Sequence, residues 1–175
     1  NKAFIAAANN VLCRCRELYN ACLEQRISHY LYTGKSPNWA EQGKQLTELR
    51  TEDPEFRAIP YSIQTDVLKR IQKTYDAFFR RCKGGGTPGF PRFKGRDRYN
   101  SFQYPVDQRH PCPLQGDKLK IVGVGSVRIR LSRELPDSAK IKIIRIIRRA
   151  DGWYAHLICE TIKPKPLQKT GRVVA

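Results

Sequence analysis

The chain has 175 residues, an ordinary hydrophobic fraction of 40% and a formal net charge of +17 at pH 7, with most of the cationic excess after residue 83. This composition excludes a disordered basic tail and allows one large domain or two small ones. The charge predicts a polyanionic partner, of which nucleic acid is the foremost candidate. An anionic membrane surface would also fit the charge, but the sequence has no long apolar span or amphipathic anchor.

The six cysteines do not form a metal-binding pattern. None belongs to a C-x-x-C pair, and Cys13 and Cys15 would point to different faces of a helix. We expect reduced thiols, no bound metal and, in the absence of a visible signal peptide, a cytoplasmic protein. The chain begins without methionine and ends abruptly at Ala175, which is typical of a fragment of a longer protein.

The first half of the chain predicts a small helical bundle. Apolar residues recur at steps of three and four between residues 3 and 31, and breaker residues follow. A second helix is predicted over 38–50 with Asn38 as N-cap, a loop at Glu52-Asp53-Pro54, and a third helix over 60–83, where Gly84–Gly86 ends it. The predicted core positions are Ala8, Val11, Leu12, Cys15, Leu18, Tyr19 and Cys22 in the first helix and Ile63, Val67, Ile71, Tyr75, Phe78 and Cys82 in the third.

The second half predicts antiparallel strands. Short strands are expected at 101–105, 118–122 and 127–131, and a long Ile-rich strand with a bulge at 140–149. Ala150-Asp151-Gly152 predicts a hairpin turn before a returning strand at 153–159. We expect a small antiparallel β-barrel, so that the fold class is α+β, with a stiff linker at 163–166 and the start of a further strand at 171–175.

The segment from Gly84 to Pro105 combines glycines, cations and aromatic residues. This mixture favours a nucleic-acid groove, since cations meet phosphates and rings offer faces to bases. The alternative is a solvated interdomain loop, and Phe90 and Phe93 could equally be anchors that pack into the barrel. The predicted backbone-binding cations of this segment are Arg92, Lys94, Arg96 and Arg98.

Further cations lie along the predicted strands and the third helix. Collectively they could follow a phosphate backbone, although for each one a solvated surface is the simpler interpretation. The predicted set is Arg128, Arg130, Arg145, Arg148 and, on the exposed face of the third helix, Lys69. No cluster of carboxylates, histidine or cysteine suggests catalysis or a magnesium site, so the chain is interpreted as a binding module.

Several motifs, in order, resemble those of the TnpB (OrfB) proteins of bacterial insertion sequences. The first helix carries R-x-x-Y-N, the third ends in Y-x-x-F-F-R, and the following segment contains G-F-P-R-F-K and S-F-x-Y-P, before the D-G-x-Y hairpin. In this chain these motifs are Arg16–Asn20, Tyr75–Arg80, Gly89–Lys94, Ser101–Pro105 and Asp151–Tyr154.

The resemblance implies part of an RNA-guided DNA endonuclease. Residues 1–83 would be the helical recognition domain, 84–163 a wedge β-barrel domain without its first strand, and 164–175 a linker and the start of a RuvC-like domain. Guide RNA and double-stranded DNA would be the partners, in a bacterial cytoplasm. The catalytic residues and their Mg²⁺ would belong to the absent RuvC-like domain.

Motif reading in this family uses recognition helices and a wedge strand. Carried over residue by residue, this function falls on Trp39, Tyr61, Thr65 and Gln103. From composition alone, Trp39 would instead be a core residue. Two alternatives stay open: a transposase-like DNA-binding module that acts without RNA, and a scaffold whose charge serves only solubility.

Overall fold

A computed structural model describes residues 1–136 and 138–161. The predicted linker at 163–166 and the strand start at 171–175 lie outside these residues. The described part is α+β, as predicted: a helical half is followed by an antiparallel half.

The helical half contains the three predicted helices and one short additional helix. Their bounds are α1 Lys2–Thr33, α2 Trp39–Glu52, α3 Pro54–Ala58 and α4 Tyr61–Lys83. Helix α3 forms where a loop was predicted, because the Asp53 carboxylate accepts from the amides of Glu55 and Phe56 at 2.8 and 3.3 Å. Pro54 at the first helical position suits this start, since its missing N–H would have no partner there.

Side chains fix the ends of the longer helices. Asn38 caps α2 as predicted: its side chain accepts from the amides of Ala40 and Glu41, while the Glu41 carboxylate accepts from the Asn38 amide at 2.8 Å. This reciprocal arrangement satisfies donors that would otherwise be unpaired. At the end of α1, Gly34 adopts a φ of 71°, a conformation that glycine reaches without strain.

The second half forms two separate antiparallel sheets. A single 3₁₀ turn, Arg96–Arg98, precedes six strands: β1 Ser101–Pro105, β2 Leu114–Gln115, β3 Lys118–Ile121, β4 Gly125–Arg128, β5 Lys140–Arg149 and β6 Gly152–Glu160. The first sheet has the order β1-β5-β6 and the second β2-β3-β4. In the described residues the strands do not close into a barrel, so that part of the prediction is not confirmed.

The strand predicted over 127–131 is shifted, because β4 spans Gly125–Arg128 and so begins two residues earlier and ends three residues earlier. Its ladder ends at the pair of Lys118 with Arg128, because β3 begins at Lys118 and offers no partner to Arg130. The predicted irregularity in the Ile-rich strand is present as a shift of register between Ile141 and Ile143.

Helices and sheets share one hydrophobic core. Val11 of α1, Ile71 of α4, Phe102 of β1 and Ile144 of β5 are at most 1% exposed and belong to one buried cluster. The division at residue 83 coincides with the change from helices to strands, and it stays a prediction.

The turn between β3 and β4 lies against the junction of α3 and α4. Gly123 has a φ of 74°, and a Cβ at this position would lie 2.5 Å from the carbonyl oxygen of Ala58. This close approach places the second sheet directly beside the start of α4.

Candidate nucleic-acid interface

One face of α4 carries three of the predicted site residues. Tyr61, Thr65 and Lys69 follow one another at steps of four, so they lie on the same side of the helix. Tyr61 is 45% exposed, Thr65 is half-buried and Lys69 is exposed. The Thr65 hydroxyl donates to the carbonyl oxygen of Ser62 at 3.0 Å, which uses its hydrogen and leaves its oxygen lone pairs as acceptors.

The start of α4 is held in place by Arg50 of α2. Its guanidinium donates to the carbonyl oxygens of Phe56 and Ile59 at 2.9 and 2.6 Å and also to the side chain of Gln64. The same group lies 5.6 Å from the centre of the Tyr61 ring. The hydrogen bonds of Arg50 therefore hold the backbone around the exposed Tyr61 ring in place.

Gln103 of β1 reaches the same part of α4. Its Nε2 donates to the two carboxylate oxygens of Asp66 at 3.4 and 3.5 Å. Asp66 also accepts from Nε of Arg70 at 2.6 Å, and Arg70 donates to the carbonyl oxygen of Ser101 at 2.9 Å. Asp66 directly follows Thr65 but projects roughly 100° around the helix from it, so Gln103 contacts the side of α4 next to the face that carries Thr65, within the same turn.

Arg145 is the neighbour of Gln103 across the sheet. The two residues are paired in the β1–β5 register, and Arg145 is paired with His156 in the β5–β6 register. Arg145 is half-buried, and its Nε has no hydrogen-bond partner among residues 1–136 and 138–161. Arg145 therefore places one cation beside the polar contact between β1 and α4.

Trp39 lies apart from the other predicted motif-reading residues. Its indole is 50% exposed, so the interpretation from composition as a core residue does not hold. Near the start of α2, Gln42 accepts from Arg26, which donates in turn to Gln72 of α4. Gln72 is eleven positions after Tyr61, or roughly 16 Å along the helix.

The cations of the segment between α4 and β1 differ in exposure and in the contacts that hold them. Arg92, Arg96 and Arg98 are exposed. Lys94 is fixed by its backbone: its amide donates to Asn20 Oδ1 at 2.8 Å, and Asn20 Nδ2 donates to its carbonyl oxygen at 3.0 Å. Two of the motifs that carry the family resemblance, Arg16–Asn20 and Gly89–Lys94, therefore meet in space.

The strand cations divide in the same way. Arg128 has an 87% exposed side chain with a single long ion pair to Asp117 at 3.8 Å, and Arg130 is exposed. Arg148, in contrast, donates to Asn9 of α1 at 3.1 Å and to the carbonyl oxygen of Arg96 at 3.3 Å. Its donors are largely used to hold the fold.

The sequence-based prediction missed Asp66 and Arg70. Opposite charges four positions apart on a helix favour an ion pair, and this signal was available. Their link to β1, however, depends on how α4 packs against the strand, which the sequence pattern does not contain.

The described residues contain neither a metal-binding cluster nor a membrane-spanning helix. Within residues 1–136 and 138–161, no three side chains of His, Cys, Asp or Glu are grouped to hold a metal ion. In the same part of the chain, none of the helices combines the length and the apolar character that a membrane crossing requires.

By fold, then, the chain is an α+β protein of helices packed on two antiparallel sheets, with a strongly basic surface. No family model matches it. It is 25% identical, over an alignment of 166 residues that covers 91% of this chain, to a protein of Escherichia coli (strain K12) named "Putative RNA-guided DNA endonuclease InsQ". This comparison confirms the resemblance to the TnpB family. The chain spans 38% of the length of that relative.

Proposed function

We propose that this chain is the part of a transposon-encoded RNA-guided DNA endonuclease that binds the guide RNA and the short DNA motif beside the target. The similarity to InsQ over nearly the whole chain supports the general kind of function. The observation that carries the proposal is the contact between Gln103 and Asp66, because it brings a strand residue to the turn of α4 that carries Thr65.

This arrangement suits the reading of a DNA duplex. Base edges in the major groove are distinguished by donors and acceptors, and hydroxyl and amide groups match them. Tyr61, Thr65 and Gln103 would contact base edges, while Lys69 and Arg145 beside them would contact phosphates.

Trp39 of α2 would contribute near Gln72, further along α4 from Tyr61. The distance of roughly 16 Å along α4 corresponds to about five steps of a duplex at roughly 3.4 Å each. Trp39 would therefore meet the far end of a short motif or its flank, and its indole would stack or pack there without offering a hydroxyl.

The RNA would be held mainly through charge and shape. The exposed Arg92, Arg96, Arg98, Arg128 and Arg130 would neutralise phosphates of the RNA and of the DNA duplex without reading sequence. Long-range specificity would come from base pairing by the guide. Magnesium-dependent cleavage is proposed for a RuvC-like domain beyond this chain. The described residues do not offer a ligand set that fits Mg²⁺, and we derive no cleavage step from them.

The test is a binding selection with duplexes randomised beside a fixed target. Thr65→Ala and Gln103→Ala should change the ranking of flanking motifs, whereas Arg128→Ala should weaken all duplexes alike and lower the salt slope by about one. An unchanged ranking for both Thr65→Ala and Gln103→Ala would contradict the assignment.

RNA binding is tested by expression together with the 3′ end of the transposable element. We expect RNA to co-purify as a nuclease-sensitive excess of absorbance. Its absence, with motif-specific duplex binding intact, would favour the alternative of a DNA-binding module that acts without RNA. A binding constant that does not change with salt concentration would contradict both the proposed function and the DNA-binding module. It would favour a scaffold whose charge serves only solubility.

A further inference from the structure

Four aromatic rings form a cluster at the C-terminal end of α4. Phe78 lies 5.3 Å from Phe79 and 5.2 Å from Phe90 between ring centres, and Tyr75 lies 6.1 and 6.2 Å from the same two rings. Tyr75 and Phe78 are thus the inner pair, and Phe79 and Phe90 lie on either side. A contact of Arg81 with the carbonyl oxygen of Gly89 at 3.5 Å helps to fix the loop that carries Phe90.

The two outer rings remain open to solvent. Tyr75 is 6% exposed, while Phe79 and Phe90 are 52% and 50% exposed. Phe93, three positions further on, is 49% exposed. Phe90 packs against Tyr75 and Phe78 of α4 and not, as one of the sequence interpretations expected, into a barrel, and half of its surface is left for another contact.

The surroundings of the cluster are exclusively cationic in sequence. Between Asp76 and Asp97 there is no acidic residue, and the six cations are Arg80, Arg81, Lys83, Arg92, Lys94 and Arg96. All of these except Lys94 are exposed. Basic residues in the last turn of a helix also interact favourably with its dipole, which would explain the first three. It does not explain Arg92 and Arg96, which follow the helix.

We propose that this aromatic cluster is a binding site for unpaired nucleotides. Bases would stack on Phe79 and Phe90, and their phosphates would contact Arg80, Arg81 and Arg92. Inside a duplex each base face is covered by the neighbouring pairs, so the exposed ring faces can stack only on unpaired bases or on the terminal pair of a duplex. Phe79 is eighteen positions after Tyr61, or roughly 27 Å along α4, and seven positions after Gln72, or roughly 10 Å. The site therefore lies beyond the proposed duplex-reading surface, which reaches Trp39 near Gln72, and it relies on the proposed function only for the class of partner.

The test compares end-labelled probes by fluorescence anisotropy on the full 175-residue chain. The probes are oligouridine, oligothymidine and an abasic deoxyribose-phosphate strand, each about 12 nucleotides long, within the usual site sizes. A mixed-sequence duplex is the fourth probe. We expect the base-bearing strands to bind at least about tenfold more tightly than the abasic strand. Tighter binding of oligouridine than of oligothymidine would assign the site to RNA. Equal binding of the two would assign the site to single strands of either kind.

Phe79→Leu combined with Phe90→Leu keeps apolar groups in the cluster but removes both stacking faces. This variant should bind the base-bearing strands about tenfold or more weakly, with the abasic strand and the duplex unaffected. Tyr32→Leu is the matched control, because Tyr32 is an 89% exposed aromatic residue at the end of α1, outside the cluster, and should change nothing.

Equal affinity for abasic and base-bearing strands would overturn the proposal, as would a double variant that binds all strands like the unsubstituted chain. With duplex binding intact, either result would leave the proposed function standing. If the unsubstituted chain binds none of the four probes, both this proposal and the proposed function are overturned. If the double variant unfolds, Phe79→Leu alone tests stacking. Arg80→Gln should then lower the salt slope for single strands by about 0.7.

Discussion

Gln103 donates its side-chain amide to the Asp66 carboxylate, and this contact joins β1 to α4. An ionised carboxylate only accepts hydrogen bonds, so it fixes the amide nitrogen of Gln103 toward the helix. The carbonyl oxygen of Gln103 is thereby turned away from Asp66. An acceptor held in this way suits a base that offers a donor, such as the exocyclic amino group of adenine or cytosine.

Asp66→Ala should therefore relax motif reading. Without its carboxylate, Gln103 can present either end of its amide, and preference at the contacted base pair should fall by roughly 1 kcal/mol or more. Stability should fall by only about 0.5–1 kcal/mol, since the ion pair with Arg70 is partly exposed. The selection described above measures the preference, and urea unfolding measures the stability.

Asp117→Ala provides the control for this substitution. Asp117 pairs with Arg128 at 3.8 Å with a 66% exposed side chain, and it lies in the turn between β2 and β3, in the other sheet from Gln103. It should leave both the ranking of motifs and the stability near those of the unsubstituted chain. A sharpened or unchanged preference in Asp66→Ala would contradict the positioning role.

Arg148→Ala should destabilise the fold by about 1–3 kcal/mol. Its guanidinium links β5 to Asn9 of α1 and to the loop at Arg96, and charged hydrogen bonds contribute more than neutral ones. Arg130→Ala, an exposed strand-flanking cation, should change stability by no more than about 0.5 kcal/mol. Chemical unfolding of both variants checks this. Equal stability would show that Arg148 is not structural.

Arg26→Lys should be destabilising although it keeps the charge. Arg26 is 3% exposed and donates to Gln42 and Gln72, while its guanidinium lies 4.9 Å from the centre of the Tyr75 ring. Burial lowers the pKa of this guanidinium below its usual value. Lysine has no planar fork to serve both amides and the ring.

We expect Arg26→Lys to lose about 1–3 kcal/mol in urea unfolding. The control is Arg16→Lys, a half-buried cation on the same helix with a long ion pair to Glu17 at 3.8 Å. A loss no greater than that of the control would mean that charge alone matters at position 26.

Gly123→Ala should destabilise the contact between the second sheet and the α3–α4 junction. An added Cβ would meet the Ala58 carbonyl oxygen at 2.5 Å, in addition to the strain of a φ of 74°. We expect a loss of more than about 1 kcal/mol. Gly116→Ala isolates the steric part, because Gly116 has a φ of 58° with nothing within 4 Å of a built Cβ. Equal losses would show that only the backbone conformation matters.

The helices were the most predictable part of the fold. Every core position predicted for α1, from Ala8 to Cys22, is buried, because one face of a long helix repeats the same environment. In α4 the same periodicity fails after Tyr75. There Phe78 turns to the aromatic cluster and Cys82 is exposed, since the helix continues beyond the core. The hydrogen-bond ladder of β4 ends at Arg128, because its partner strand β3 begins at Lys118. The residues of β4 alone do not show this limit, since it is set by the partner.

Family motifs pointed to Tyr61, Thr65 and Gln103 individually, and their role in motif reading stays a prediction. Their arrangement was not predictable from the sequence. The contact of Gln103 with Asp66 depends on the packing of α4 against β1 and joins residues 37 positions apart. The distance between Trp39 and Tyr61 likewise follows from how Arg26 aligns α2 with α4.

The two buried cysteines of α1 should make stability depend on pH in alkaline solution. Burial raises the pKa of Cys15 to about 12 and that of Cys22 to about 11, from a usual value of 9.0. The folded chain therefore holds these protons more tightly than the unfolded chain. The contribution of the two thiols to stability is fully present below pH 9 and is lost as the pH rises from about 9 toward 11–12. Each thiol should lower the free energy of unfolding by up to about 1.4 kcal/mol per pH unit in this range.

Urea unfolding between pH 8 and pH 10.5, in the presence of a reductant, measures the slope of the free energy of unfolding against pH. Cys15→Ala should reduce the slope despite its lower stability at neutral pH, whereas Cys112→Ala, at an exposed position, should preserve it. A Cys15→Ala variant with an unchanged slope would show that ionisation of this thiol is not coupled to unfolding.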